Sequence, residues 1–162
     1  MLKKISEPES PKGLKLKLFR APIYLYRLKL GFLLGDRFVR LQHWGRVSKT
    51  LKETVLEVID EDKPNSKMYS ASGFGEQSQW FKNISLNKDV ILTLKNKEYD
   101  ARARVVSEKE AEEVLIRYAN KHPKSMKGVA RLSGYEIDGG EQSIIEFSKI
   151  IKIVEFKLNR LS

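Results

Sequence analysis

From Ala21 to Leu34 aliphatic and aromatic residues run almost unbroken, interrupted by Arg27 and Lys29 and poor in β-branched types, which predicts a helix buried over most of its circumference. Gly35-Asp36 ends it. The period then changes to two. Arg37 to Trp44 and Lys52 to Ile59 read as strands, the second from the alternation of Thr54, Leu56 and Val58 with Val55, Glu57 and Ile59, and the turn Gly45 to Lys49 lies between them. The polar run Asp60 to Lys67, with Pro64 and Asn65, has the chemistry of a turn and leads into a short strand at Met68 to Ser72. After a glycine-containing loop, Trp80, Phe81 and Ile84 recur at helical spacing within Gln77 to Leu86.

Val90 to Leu94 and Glu98 to Val106 flank Lys95-Asn96-Lys97 and form an antiparallel hairpin. Ser107 and Glu110 then make a capping box, and Ala111, Val114, Leu115, Tyr118 and Ala119 follow on one helical face as far as His122-Pro123. Further helical pieces are expected over Lys124 to Leu132 and Glu141 to Ser148, and Ile150 to Leu158 closes the chain as a strand. Six strands, mostly antiparallel, with helices at one end predict a mainly β, α+β architecture in which the sheet closes into a small barrel. A doubly wound sheet is disfavoured because strands and helices do not alternate.

The 162 residues suffice for one domain with a real core, expected over 21–162 after a flexible basic tail at 1–20. No cysteine is present, so disulfides, thiolate metal sites and cysteine nucleophiles are excluded. The two histidines, His43 and His122, stand too far apart for a histidine metal motif and read first as structural. Met1 to Lys17 is lysine-rich and carries Pro8 and Pro11, unlike a secretory signal, so a cytoplasmic location is expected. The apolar stretch 21–34 falls short of the roughly 20 residues of a membrane span.

Charge changes the picture when it is located. The net charge is +10, and residues 1–52 hold 13 Lys or Arg against 3 Asp or Glu, so the whole excess lies in the first third of the chain. That asymmetry points to an anionic partner. The absence of a zinc finger, an RNA-recognition signature or a regular basic helix argues against nucleic acid. An anionic lipid surface stays open, because Ala21 to Leu34 sits among Lys15, Lys17, Arg20, Arg27, Arg37 and Arg40, as does a phosphorylated cofactor.

Two loops could hold such a cofactor. Gly45-Arg46-Val47-Ser48-Lys49-Thr50-Leu51-Lys52 joins a glycine, hydroxyls and three cations between two strands, which suits a phosphate cradle and equally a solvated hairpin turn. Ala71-Ser72-Gly73-Phe74-Gly75 precedes a helix carrying Trp80 and Asn83, where main-chain N–H groups and apolar walls would meet a ring or an anion. An antiparallel barrel can bring both loops to one edge of a single groove.

These segments resemble the deazaflavin-dependent nitroreductase family. The resemblance runs through Pro22 to Arg27, Leu30 to Phe38, Leu41 to Ser48, Thr54 to Val58, Ala71 to Asn83 and Tyr118 to Pro123, covering residues 22 to about 135. It implies a six-stranded antiparallel split β-barrel of the flavin-reductase and pyridoxamine-oxidase type. It also implies an oxidoreductase that binds a reduced deazaflavin (factor 420), with FMN as the alternative, and passes hydride to a quinone, nitro compound or enone. Arg46, Ser48 and Lys52 match the family's cofactor-phosphate turn, with Val47, Lys49 and Lys52 standing where lysine, glycine and arginine are usual; Lys49 would restore the charge lost at Val47. Ala71, Ser72 and Gly73 match the loop along the cofactor, and Trp80 and Asn83 the helix that supports it. The family's C-terminal tyrosine cluster is not evident, since only Tyr118 and Tyr135 follow residue 100 and Tyr118 lies on a core face. The alternatives are a flavin- or haem-binding protein of the same fold and a non-catalytic lipid-binding module.

Overall fold

The computed structural model describes residues 1–9 and 11–159. In chain order the strands and α-helices are β1 (Leu2–Lys4), α1 (Gly13–Arg27), β2 (Phe38–Trp44), β3 (Leu51–Glu57), β4 (Asp60–Asp62), β5 (Lys67–Ser72), α2 (Gln79–Leu86), β6 (Asp89–Leu94), β7 (Lys97–Val105), α3 (Glu108–Lys121), α4 (Pro123–Leu132), β8 (Tyr135–Ile137), α5 (Glu141–Ser148) and β9 (Lys152–Leu158). Short 3-10 turns occupy Gly31–Leu34 and Gly75–Gln77.

Seven strands form one antiparallel sheet in the order β3-β2-β6-β7-β9-β5-β4, where six were expected from the sequence. The additional strand is β4. Asp62 holds Asn65 through its main-chain N–H (3.3 Å) and its side-chain amide (2.8 Å), and Ser66 turns with a positive φ. Residues 63–66 therefore complete the turn, and 60–62 remain extended against β5. The sheet curls because β3 runs almost directly into β4, which lies at the opposite edge. Ile59 N–H donates to the Tyr69 carbonyl (2.9 Å) and Ser70 Oγ donates to the Glu57 carbonyl (2.8 Å), which draws the two edges together without a continuous ladder. The result is a half-closed barrel with five helices among the described residues.

Two clusters of buried side chains lie on opposite faces of β9. Val154 and Phe156 join Leu41, Leu92, Trp80 and Ile84 inside the curl, while Ile153 meets Leu115, Tyr118 and Phe147 of α3 and α5. α3 forms as its pattern predicts: Glu110 N–H donates to Ser107 Oγ (3.2 Å), and Ala111, Val114, Leu115, Tyr118 and Ala119 are all buried. Glu155, also on β9, is buried beside Arg104 and Lys67. Burial raises its pKa, and the hydrogen bond and charge of Arg104, with help from Lys67, outweigh that effect and hold it below the usual range.

The N-terminal region departs from expectation. Residues 1–20, expected as a tail, hold β1, which pairs with β8 from Leu2↔Ile137 to Lys4↔Tyr135, and the first half of α1. The helix expected at 21–34 begins at Gly13 and stops at Arg27, after which Lys29 takes a positive φ. It buries only Ile23 and Tyr26, against β3, leaving Leu14, Leu18, Tyr24 and Leu28 exposed. Among the described residues no helix is long and apolar enough to cross a membrane. Residues 160–162, at the end of the expected domain, lie outside the described residues.

Phe156→Ala should cost about 3–5 kcal/mol, since the ring is fully buried at the centre of the sheet, whereas Ser107→Ala should cost about 1 kcal/mol by removing one cap. Urea unfolding of the two variants checks the contrast; comparable losses would contradict this assignment of the core.

Candidate functional site

Where β2 leaves the core, the chain turns through 45–50 and returns as β3, the last ladder pair being Trp44↔Leu51. Gly45 N–H donates to the Thr50 carbonyl (2.8 Å) and Lys49 N–H to the Gly45 carbonyl (2.9 Å). A Cβ on Gly45 would stand 2.4 Å from Ser48 Oγ and 3.3 Å from the Thr50 carbonyl, so a side chain here would displace the Ser48 hydroxyl from its place in the turn. Ser48 Oγ lies 2.9 Å from Thr50 Oγ1 and ties the two hydroxyls together. Lys49 adopts φ +57°, a left-handed conformation that costs a residue with a Cβ about 1–2 kcal/mol.

This turn forms one wall of a cleft of about 1100 Å³. Ala71, Gly73 and Phe74 border it beyond the end of β5, and Trp80 and Asn83 border it from α2. Leu18, Phe19 and Arg20 of α1 approach from the opposite side, and Leu132 of α4 completes the rim. Phe19 packs edge-on against Phe74, with ring centroids 6.1 Å apart, so α1 closes one flank of the cleft.

A polar chain crosses the floor. Arg46 donates twice to Asn83 Oδ1, from its main-chain N–H (3.1 Å) and from Nη1 (2.9 Å), and its Nη2 donates to Gln79 Oε1 (2.9 Å). The other end of the Asn83 amide, Nδ2, lies 3.0 Å from Nδ1 of buried His43. Burial first, then the positive charges of Arg20 and Lys52, push the His43 pKa down to about 4, so the ring is neutral at physiological pH. Among the described residues Arg20, Arg46 and Lys52 form no ion pair; Glu53, next to Lys52, is taken by Arg27 and by Arg40 (3.6 Å). Glu57, the other carboxylate of the cleft, is paired with Arg37 (3.0 Å), so these three cations have no carboxylate partner of their own among the described residues.

Of the residues singled out in the sequence, Arg46, Ser48, Lys52, Ala71, Gly73, Trp80 and Asn83 come together around this cleft. Lys49 and Ser72 do not. Lys49 sits at the apex of the turn in solvent, and Ser72 is fully buried, donating to the Gly75 carbonyl (2.6 Å) with its Oγ 3.0 Å from Ser78 Oγ, so it shapes the loop from beneath. Trp80 lines the cleft and also packs on Phe81 in the inner core. Sequence reasoning missed Arg20, Phe19 and Gln79, and it placed His43 among structural residues. The signal for His43 was available: it occupies the third inward position of β2 after Val39 and Leu41, a polar group where the apolar face ends. Arg20 gave no such signal, because only the packing of α1 brings it here. Tyr118 is buried in the outer core, donating to Glu57 Oε1 (3.0 Å), and Tyr135 packs on Phe147. His122 lines a separate cavity with Asp60 and Arg117.

No protein-family model matches the chain, and no curated protein matches it by sequence. Solved structures match it by fold. An F420-H2 dependent reductase superposes with a TM-score of 0.54 at 16% identity, covering 76% of this chain and 96% of that one. The haem storage protein HutZ from Vibrio cholerae gives a TM-score of 0.52 at 9% identity, with 88% and 92% covered. A Clostridium acetobutylicum protein of the pyridoxinephosphate oxidase family, related to general stress protein 26, gives 0.51 at 9%, with 85% and 84% covered. What these proteins share with this chain is the split-barrel fold.

Because the His43 ring titrates near 6.5 when unfolded and near 4 when folded, the unfolded chain binds more protons between those values. The contribution is fully present above about pH 6.5 and is lost as pH falls towards 4, a change on the order of 3 kcal/mol. Urea titrations of wild type and His43→Gln should therefore converge on acidification; a stability difference independent of pH across this window would contradict a buried neutral ring.

Proposed function

We propose that this chain is an oxidoreductase that binds a reduced deazaflavin of the factor 420 type in the cleft beside α1 and reduces an electron-poor small molecule such as a quinone, nitro compound or enone. The observation that carries this reading is the convergence of Arg20, Arg46 and Lys52, none of them ion-paired among the described residues, on a cleft that also has Phe19, Phe74, Trp80 and Leu132 in its walls and whose two carboxylates, Glu53 and Glu57, are paired with other arginines. Cations around an apolar chamber suit a ligand with a flat ring and an anionic tail. The neighbours of the same fold include an F420-H2 dependent reductase, which adds support.

The residues present fit such a group. Arg46 is held from behind by Asn83 and Gln79, so its remaining N–H donors would meet an anion with little reorganisation. Lys52 and the Ser48 hydroxyl stand on the same turn, and Ala71 and Gly73 offer main chain and little side-chain bulk for close approach by a ring. Trp80, Phe74 and Phe19 exclude water from one side. When bound, the deazaflavin supplies the hydride; the protein binds, orients and shields. Tyr118 is committed to Glu57 in the outer core, away from the cleft, and His43 carries no charge at physiological pH.

FMN or haem in the same cleft is the second reading, supported by the pyridoxinephosphate oxidase relative and the haem storage protein among the fold neighbours. The absorbance spectrum of the purified protein separates these ligands. For deazaflavin or FMN, titration should saturate at micromolar concentration. Arg46→Ala with Lys52→Ala should weaken binding by about 1.5–3 kcal/mol for each charged hydrogen bond removed. An unchanged dissociation constant in the double variant would remove the turn from the site.

Peripheral contact with an anionic membrane accompanies this proposal. Leu14, Leu18 and Tyr24 of α1, and Leu28 just after it, are exposed among Lys12, Lys15, Lys17 and Arg20, the composition of an interfacial helix. Wild type should float with vesicles containing phosphatidylserine and sediment with neutral ones, and Leu14→Gln with Leu18→Gln should abolish flotation. Equal flotation by that variant would exclude α1 as the contact.

A further inference from the structure

We infer that His43 is a ligand-binding residue, its Nε2–H donating a hydrogen bond to an oxygen of the molecule held in the cleft, either a carbonyl or an oxyanion. This rests on the cleft being a ligand site, as proposed above, and is independent of which flavin-type group occupies it.

The tautomer follows from its neighbours. Asn83 Oδ1 already accepts from the main-chain N–H and Nη1 of Arg46, so turning the amide over would set N–H groups against N–H groups and lose both bonds. Its Nδ2–H₂ therefore faces His43, and His43 Nδ1, 3.0 Å away, must accept. In a neutral imidazole whose Nδ1 accepts, the proton is on Nε2.

That Nε2–H has no hydrogen-bond partner among the described residues, although His43 is only 3% exposed. The ring lines the cleft, so this N–H opens on it rather than being sealed in the core, and the oxygen of a bound molecule is the partner the surrounding side chains do not supply. Strand register accounts for the position. Val39 and Leu41 point into the inner core, and the next inward residue, His43, reaches the floor of the cleft, paired across the ladder with Lys52. The charged groups facing it are Arg20 from α1, Lys52 from β3 and, through Asn83, Arg46. Among these cations a neutral donor adds directionality without further charge repulsion, and the cations favour a negative or strongly polarised oxygen over water as its acceptor. The low pKa agrees, since a charged imidazole would sit beside Arg20 and Lys52.

The chain has only two histidines, so imidazole nuclear magnetic resonance reads the site directly, with His122→Gln assigning the signals. Long-range ¹H–¹⁵N spectra of the folded protein at neutral pH should show His43 protonated on Nε2 alone. Saturation with FMN, oxidised deazaflavin or inorganic phosphate should shift that proton and slow its exchange with water, leaving His122 unmoved. His43→Phe should bind the same probe about 3- to 10-fold more weakly, with His43→Gln, which retains an N–H donor, recovering part of the loss.

A proton on Nδ1 would overturn the inference. So would a saturating probe that leaves the Nε2–H unperturbed, which would point to an ordered water as its partner while the cofactor reading stands. If phosphate moves the signal and neither flavin binds, the donor role holds and the cofactor reading fails. If none of the three probes binds, both fail.

Discussion

Strand β9 carries apolar side chains on both faces, and the remainder of the architecture is arranged around that constraint. Ile153, Val154 and Phe156 are essentially without solvent contact, so the strand is stable only with packing above and below and a neighbour on either edge. β7 and β5 supply the edges, the curl of the sheet covers Val154 and Phe156, and α3 with α5 covers Ile153. The last segment of the chain thus joins the two cores, and only with β9 in place does β5 stand where its C-terminal loop faces the turn after β2.

The cleft is shaped by a different kind of force. An apolar core tolerates side chains of similar volume, whereas the chain from Gln79 through Arg46 and Asn83 to His43 is a set of directional bonds in which each partner constrains the next. Asn83 is central to it. By accepting twice from Arg46 it ties α2 to the turn after β2, holds the guanidinium at the wall of the cleft, and leaves its amide nitrogen for His43. Keeping Arg20, Arg46 and Lys52 near one another while Glu53 and Glu57 are paired with other arginines is electrostatically unfavourable for the protein alone. A bound anion would relieve that repulsion, and this relief is the physical content of the binding site proposed here.

Much of this was legible in one sequence. The hairpin 89–105, the capped helix α3 and the strands on either side of the turn at 45–50 come from local periodicity and local capping, and they stand within a residue or two of their expected bounds. The two loops were recognisable from their glycines, hydroxyls and, in the first, cations, and seven of the nine residues marked in them and on the helix that follows the second meet at one cleft. What failed was non-local or two-sided. β1 and β8 are three residues each and exist only through each other across more than a hundred residues, and β4 exists only because β5 lies beside it. α1 misled because its apolar residues suggest burial all round, yet it packs along one side only, burying Ile23 and Tyr26 and resting Phe19 on Phe74.

The sequence by itself determined the class of fold, the elements that are stable through their own patterning, and the location of the positive charge, since all of these depend on residues close together in the chain. Tertiary structure alone decided that Lys49 and Ser72 are away from the cleft, that Arg20 and Gln79 are within reach of it, and that His43 is a neutral ring with its proton on Nε2. Those are matters of direction, burial and hydrogen-bond partnership, which arise only when β2, α2 and α1 have packed together.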